Sequence, residues 1–108
     1  MMQERIESFL DFLRVEKGYS DNTIAAYRND LAQFAEFVSD RLKGGWSEVN
    51  KDLIVDYILE LKEREYASST VARKVTAIKS YFHFLASEDV VEDDPTTTLD
   101  SPKVKKRL

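Results

Sequence analysis

The chain has a single histidine, His83, set between Phe82 and Phe84, and it has no cysteine. A histidine acting as general base needs an orienting acid and a nucleophile in reach, and a tetrahedral metal site needs several nitrogen or sulfur ligands. No second histidine or cysteine exists to complete a metal site, so His83 is read as a helix residue rather than a catalyst. The lack of cysteine also excludes a disulfide scaffold and a thiol nucleophile. The densest acids, Glu88, Asp89, Glu92, Asp93 and Asp94, are read as a solvated helix end and turn. Gly44-Gly45 lacks the Lys-Ser or Lys-Thr that completes a phosphate-binding loop. No cofactor is expected.

The chemistry that remains is that of binding. Two clusters combine hydroxyls, amides, small side chains and bases. The first is Ser20, Asn22, Thr23, Ala26 and Arg28; the second is Ser68, Ser69, Thr70, Arg73, Lys74 and Ala77. Both fall at expected helix starts and are expected to be exposed. Thr70, Arg73, Lys74 and Ala77 share a strip at steps of three and four. Hydroxyls, amides and free helix N–H groups hydrogen-bond phosphate oxygens, and an arginine reaches a phosphate or a guanine edge. Small residues allow a helix to sit deep in a groove.

Charge at first argues the other way. The 108 residues carry 20 acids and 16 bases, a formal charge of -4, whereas phosphate contacts need Lys and Arg. The distribution is uneven, however. Ser68 to Ser87 holds Arg73, Lys74 and Lys79 and no acid. Glu88 to Asp100 holds six acids and no base, and the tail adds Lys103, Lys105, Lys106 and Arg107.

These clusters must be positioned by helices. Ile6, Phe9, Leu10 and Leu13 predict a first helix over about residues 3–17, closed by Gly18 in a left-handed cap. Ser20 is a good N-cap for a second helix, with Ile24, Tyr27, Leu31, Phe34 and Val38 on its inner face to near Arg41. Lys43-Gly44-Gly45-Trp46 breaks the pattern, and Trp46 is expected to plug the core between the second and third helices. Asn50 caps a third helix with Leu53, Ile54, Tyr57, Ile58 and Leu61 inside and a mostly acidic exterior. A fourth starts at Ser68 or Ser69 and ends near Ser87, with Val71, Val75, Ile78, Phe82 and Leu85 inside. No period-2 stretch predicts a strand. The fold class expected is all-α, a four-helix bundle. Its domain is expected to cover 1–94, with a linker over 95–108. No apolar run is long enough to span a membrane, no targeting segment is visible, and a cytoplasmic, nucleoid-associated location is expected.

Ser20-Asp21-Asn22-Thr23-Ile24-Ala25-Ala26-Tyr27-Arg28-Asn29-Asp30-Leu31-Ala32-Gln33-Phe34 resembles the S-x-N-T-x-x-x-Y-x-x-D-L-x-x-F signature of the tyrosine recombinases. These comprise the phage-type integrases and Xer chromosome-dimer resolvases. Ser68 to Phe82 resembles their fourth-helix pattern, and Asp93-Asp94-Pro95 with Ser101-Pro102-Lys103 resembles the exit from their N-terminal core-binding domain. The resemblance covers essentially the whole chain. It implies a SAM-like bundle that clamps duplex DNA at a recombination core site together with a catalytic domain. The second and fourth helices would cross the major groove, using Asn22, Thr23, Ala26, Arg28, Ser69, Thr70, Arg73, Lys74 and Ala77. Ser20 caps the first of these. Lys103, Lys105, Lys106 and Arg107 would run along DNA in the linker, and first-helix residues would touch a neighbouring protomer.

The family's chemistry uses a tyrosine nucleophile and an H-x-x-R motif in its C-terminal domain. Here Phe84, Leu85 and Ala86 follow His83, so none of the five tyrosines is assigned as nucleophile. The chain is therefore expected to be the N-terminal, non-catalytic portion of a longer enzyme, monomeric without DNA. The alternative is a helical protein-interaction module, motivated by the net acidity.

Overall fold

The computed structural model describes residues 2–99. Along them run α1 (Met2–Val15), α2 (Asp21–Arg41), a 3-10 turn (Trp46–Glu48), α3 (Lys51–Glu63) and α4 (Ser68–Ser87). No strand occurs among the described residues. None of their helices is long and apolar enough to cross a membrane.

Capping chemistry sets two of the helix starts. The Ser20 hydroxyl accepts the Thr23 N–H at 3.2 Å, and the Asn50 side-chain oxygen accepts the Leu53 N–H at 2.9 Å. α4 instead follows Ala67 and has no side-chain cap. At the end of α1, Gly18 takes φ +68°, and the Tyr19 N–H reaches back to the Leu13 carbonyl at 3.2 Å. Two further helix ends close the same way without glycine. Glu65 (φ 65°) ends α3, where Tyr66 N–H bonds to Leu61 C=O and Glu65 N–H to Lys62 C=O. Asp89 (φ 60°) ends α4 with the matching pair, Val90 to Leu85 and Asp89 to Ala86.

The helices bury aromatic rings in two groups. Phe9 of α1 meets Tyr27 of α2 and Tyr81 and Phe84 of α4. Phe34 of α2 meets Tyr57 of α3 and Phe82 of α4. Trp46 joins the groups. It stacks on Phe34 at 6.0 Å and meets Tyr81 edge-on at 4.9 Å and Phe82 at 5.9 Å. It does plug the core, but its ring partners lie on α2 and α4. α4 packs against all three other helices, so it is the central element.

The chain after α4 stays on the bundle. Asp94 accepts the Thr96 N–H at 2.8 Å and its hydroxyl at 2.6 Å. Lys79 of α4 donates to the Leu99 carbonyl at 2.9 Å, and Lys51 of α3 donates to the Thr98 carbonyl and hydroxyl. Leu99 is buried. The first residues of the expected linker thus lie docked on α3 and α4.

A Cβ in the left-handed region costs about 1 kcal/mol. Glu65→Gly is therefore expected to stabilise the domain by roughly that amount, partly offset by added freedom in the unfolded chain. A urea midpoint no higher than that of the parent would contradict this.

Candidate nucleic-acid interface

Asp30 lies three residues after Tyr27 and four before Phe34, so the helical period carries it inward with the apolar stripe of α2. It is 1% exposed. A lone buried carboxylate is costly, and here two cations from α4 meet it. Arg73 forms a fork, Nε to Oδ2 at 2.9 Å and Nη2 to Oδ1 at 2.8 Å. Lys74 donates to Oδ1 at 2.9 Å and to the Gln33 side-chain oxygen at 2.7 Å. Gln33 in turn donates to the Tyr66 hydroxyl at 3.1 Å, and the Lys74 ammonium sits 5.4 Å from the Tyr66 ring centre. The hydrogen bond to Asp30 pushes the Arg73 guanidinium pKa further up. Arg73 remains half-exposed, its side chain 49% accessible.

This arrangement corrects the expected surface. Lys74 and Ala77 were expected to be exposed beside Thr70 and Arg73, yet Lys74 is 3% exposed and Ala77 is fully buried. The reason is the central place of α4. A helix packed on three sides has a wide buried arc, and Lys74 and Ala77 fall within it with Val71, Ile78 and Tyr81. The outward strip is Ser69, Arg73, Thr76, Ser80, His83 and Ser87, at steps of four and three, with Ser80 half-buried. It contains no acid. Thr70 is half-buried at its edge. The stripe of Val71, Val75, Ile78, Phe82 and Leu85 is buried as expected, but the wider buried arc moves the outward strip onto Thr76, Ser80 and His83, which the sequence did not single out for it.

The residue pairs along the seam show which parts of the two helices meet. Tyr27 of α2 lies beside Ser80. Asp30 lies against Arg73, and Gln33 faces Lys74 and Tyr66. The first part of α2 therefore lies by the later part of α4, where Phe9 meets both Tyr27 and Tyr81, and Tyr66, just before α4, lies by Gln33 further along α2. On α2, Ser20 and Asn22 are exposed and Thr23 and Ala26 half-buried. The Ser20 hydroxyl also donates to the Thr23 hydroxyl at 3.0 Å, which commits both to the cap. Asn29, not singled out from the sequence, is exposed too. Arg28 turns to α1, where Glu7 accepts from Nη2 at 2.9 Å and from Nε at 3.2 Å. That pair is solvent-exposed and worth little to stability. Lys103, Lys105, Lys106 and Arg107 lie outside the described residues.

The tyrosines do not look activated. Burial pushes the phenols of Tyr57 and Tyr81 far above the ordinary value, and that of Tyr27 upward as well. A nucleophile needs the opposite shift or an adjacent base. Among the described residues no cluster of His, Asp and Glu is placed to hold a metal ion.

A strand-free bundle centred on α4, with a recombinase-like sequence along α2, defines a class of protein. The chain belongs to the phage integrase N-terminal SAM-like domain family, whose pattern it matches over residues 6–89. Along 99% of its length it is 49% identical to the tyrosine recombinase XerC of Herpetosiphon aurantiacus and 50% identical to that of Roseiflexus castenholzii. Over its full length it is 31% identical to the tyrosine recombinase XerD of Oceanobacillus iheyensis. It spans 35%, 34% and 37% of these three relatives, about a third of each, so what it holds of this family is the N-terminal SAM-like domain, with the catalytic portion outside it.

Two outcomes follow from the burial. Both changes leave the buried Asp30 without one of its counter-charges; Lys74→Ala does so where water cannot follow and should cost about 3 kcal/mol, whereas Arg73→Ala opens Asp30 to water at a half-exposed site and should cost about 2. Equal losses in urea denaturation would contradict the assigned burial. Second, unfolded phenols ionise near pH 10, and a raised folded pKa adds stability that is present below that pH and lost above it. Stability should therefore fall from about pH 10 upward, with Tyr57 and Tyr81 giving phenolate absorbance only on unfolding. Phenolate formation by all five tyrosines before the unfolding transition would refute this.

Proposed function

We propose that this domain grips duplex DNA for a site-specific tyrosine recombinase, laying the α2–α4 pair across the major groove at the recombination site. One observation carries the reading. In a chain of net charge -4, the outward strip of its central helix holds no acid and presents Arg73 at mid-seam. Family membership and the names of the relatives supply the recombination context.

The geometry suits a groove. From Ser69 to His83 the strip runs about 21 Å at helical rise, enough to span a major groove of about 12 Å and meet both phosphate walls. Ser69 and Thr70 would then meet one wall and Asn22 the other. Between them Arg73 reaches a phosphate or a guanine edge. The exposed acids Asp52, Asp56 and Glu63 line α3, and their repulsion of phosphate would keep DNA on the α2–α4 side. The segment from Pro95 would then act as connector to the catalytic portion, its first residues anchored by Lys51 and Lys79. Its basic residues Lys103, Lys105, Lys106 and Arg107 would follow the duplex. Other protomers would join on the DNA, the free domain being a monomer on the nucleoid.

The test is a titration of isotope-labelled domain with a short duplex at low and moderate salt. Amide shifts should cluster on Ser20–Asn29 and Ser68–His83 and fade as salt rises. Arg73→Ala should lower the slope of log affinity against log salt by about one. Shifts confined to α3, or an affinity indifferent to Arg73, would instead favour a protein-interaction module.

A further inference from the structure

Resting on that reading, the trio beneath the DNA face poses a question of its own. A carboxylate under a phosphate-binding surface repels the ligand, and buried ion groups are often replaceable by apolar ones without loss of stability. Asp30 is nevertheless placed there, bonded to Arg73, the exposed cation on the outward strip of α4.

The geometry gives it a use. A guanidinium has five N–H donors in a rigid plane. The fork to Asp30 occupies one on Nε and one on Nη2, and Arg73 has no other partner among the described residues. Three donors therefore remain on the half-exposed edge, in a plane set by the buried carboxylate. Lys74, itself held by Gln33, bonds the same Oδ1 atom. Its charge cancels that of Asp30, so the trio keeps a net charge of +1 at Arg73. Without an anchor, a half-exposed arginine samples many rotamers and loses that freedom on binding; an anchored one has lost it already.

We infer that Asp30 and Lys74 are positioning residues that hold Arg73 ready for DNA without touching DNA themselves. Their positioning differs from a merely structural role, because it is read out through Arg73 alone.

The experiment is a double-mutant cycle on the chain as it stands. Asp30→Asn with Lys74→Met removes one charge of each sign, changes only buried positions and keeps Arg73. Bulk electrostatics gives it the affinity of the parent. Positioning gives it an affinity about tenfold lower, the size of one charge-assisted hydrogen bond. Adding Arg73→Ala should then cost almost nothing further, whereas in the parent it costs about tenfold. Parent-like binding by the double variant, or a full additional loss from Arg73→Ala, overturns the inference. If the double variant does not fold, the Arg73 Nε–H signal of the free parent decides. A sharp, slowly exchanging signal supports prior ordering; exchange as fast as that of a free arginine overturns it. A parent that shows no salt-dependent DNA binding overturns the function reading and this inference together, while a binding parent with an additive cycle overturns only the latter.

Discussion

A carboxylate with almost no access to water must find its counter-charges inside the protein, and Asp30 finds them on α4. That requirement joins the second and fourth helices at one height and in one register. The fork from Arg73 accepts only a narrow range of geometries, and Lys74 closes the remaining approach while tying in Gln33 and, through it, Tyr66. The surface formed by α2 and α4 is thus arranged around a charged centre rather than a purely apolar seam. Apolar packing would tolerate small slips along the seam that a two-point ion pair does not.

The aromatic core serves the same end from beneath. Phe9, Tyr27, Tyr81 and Phe84 fix α1 and α2 to the later half of α4, and Phe34, Tyr57, Phe82 and Trp46 fix α2 and α3 to the same helix. Trp46, delivered by the short turn before α3, touches both groups through Tyr81 and Phe34. α4 is consequently held from three directions, and only a narrow strip of it faces outward. Such a strip can be narrow and still serve, because a groove in duplex DNA admits one helix face at a time.

Much of this was legible in the chain itself. Ser20 and Asn50 cap their helices as their types require, Gly18 supplies the left-handed turn after α1, and the stripes of Ile, Leu, Phe and Val predict which faces turn inward. Those are local matters, settled by neighbours within one or two turns. The ion trio was not legible in this way: Lys74 was read onto the outward strip, and the inward place of Asp30 shows only once α2 and α4 are packed together. Glu65 likewise gives no sign of the left-handed conformation it adopts, because its side chain does not favour it and the closing hydrogen bonds impose it; Asp89, of a type that tolerates that region, gives only a faint one.

The sequence by itself determined that there would be four helices, where they begin, and that one internal stretch is free of acids. Only the tertiary structure decided which face of that stretch meets solvent. The width of a buried arc depends on how many elements pack around a helix, and periodicity along one helix carries no count of its neighbours. For the same reason Ala77 and Lys74 moved inward, and Thr76 and His83 took the surface. The meeting of α2 with α4 at Asp30 was likewise set by packing between segments more than forty residues apart.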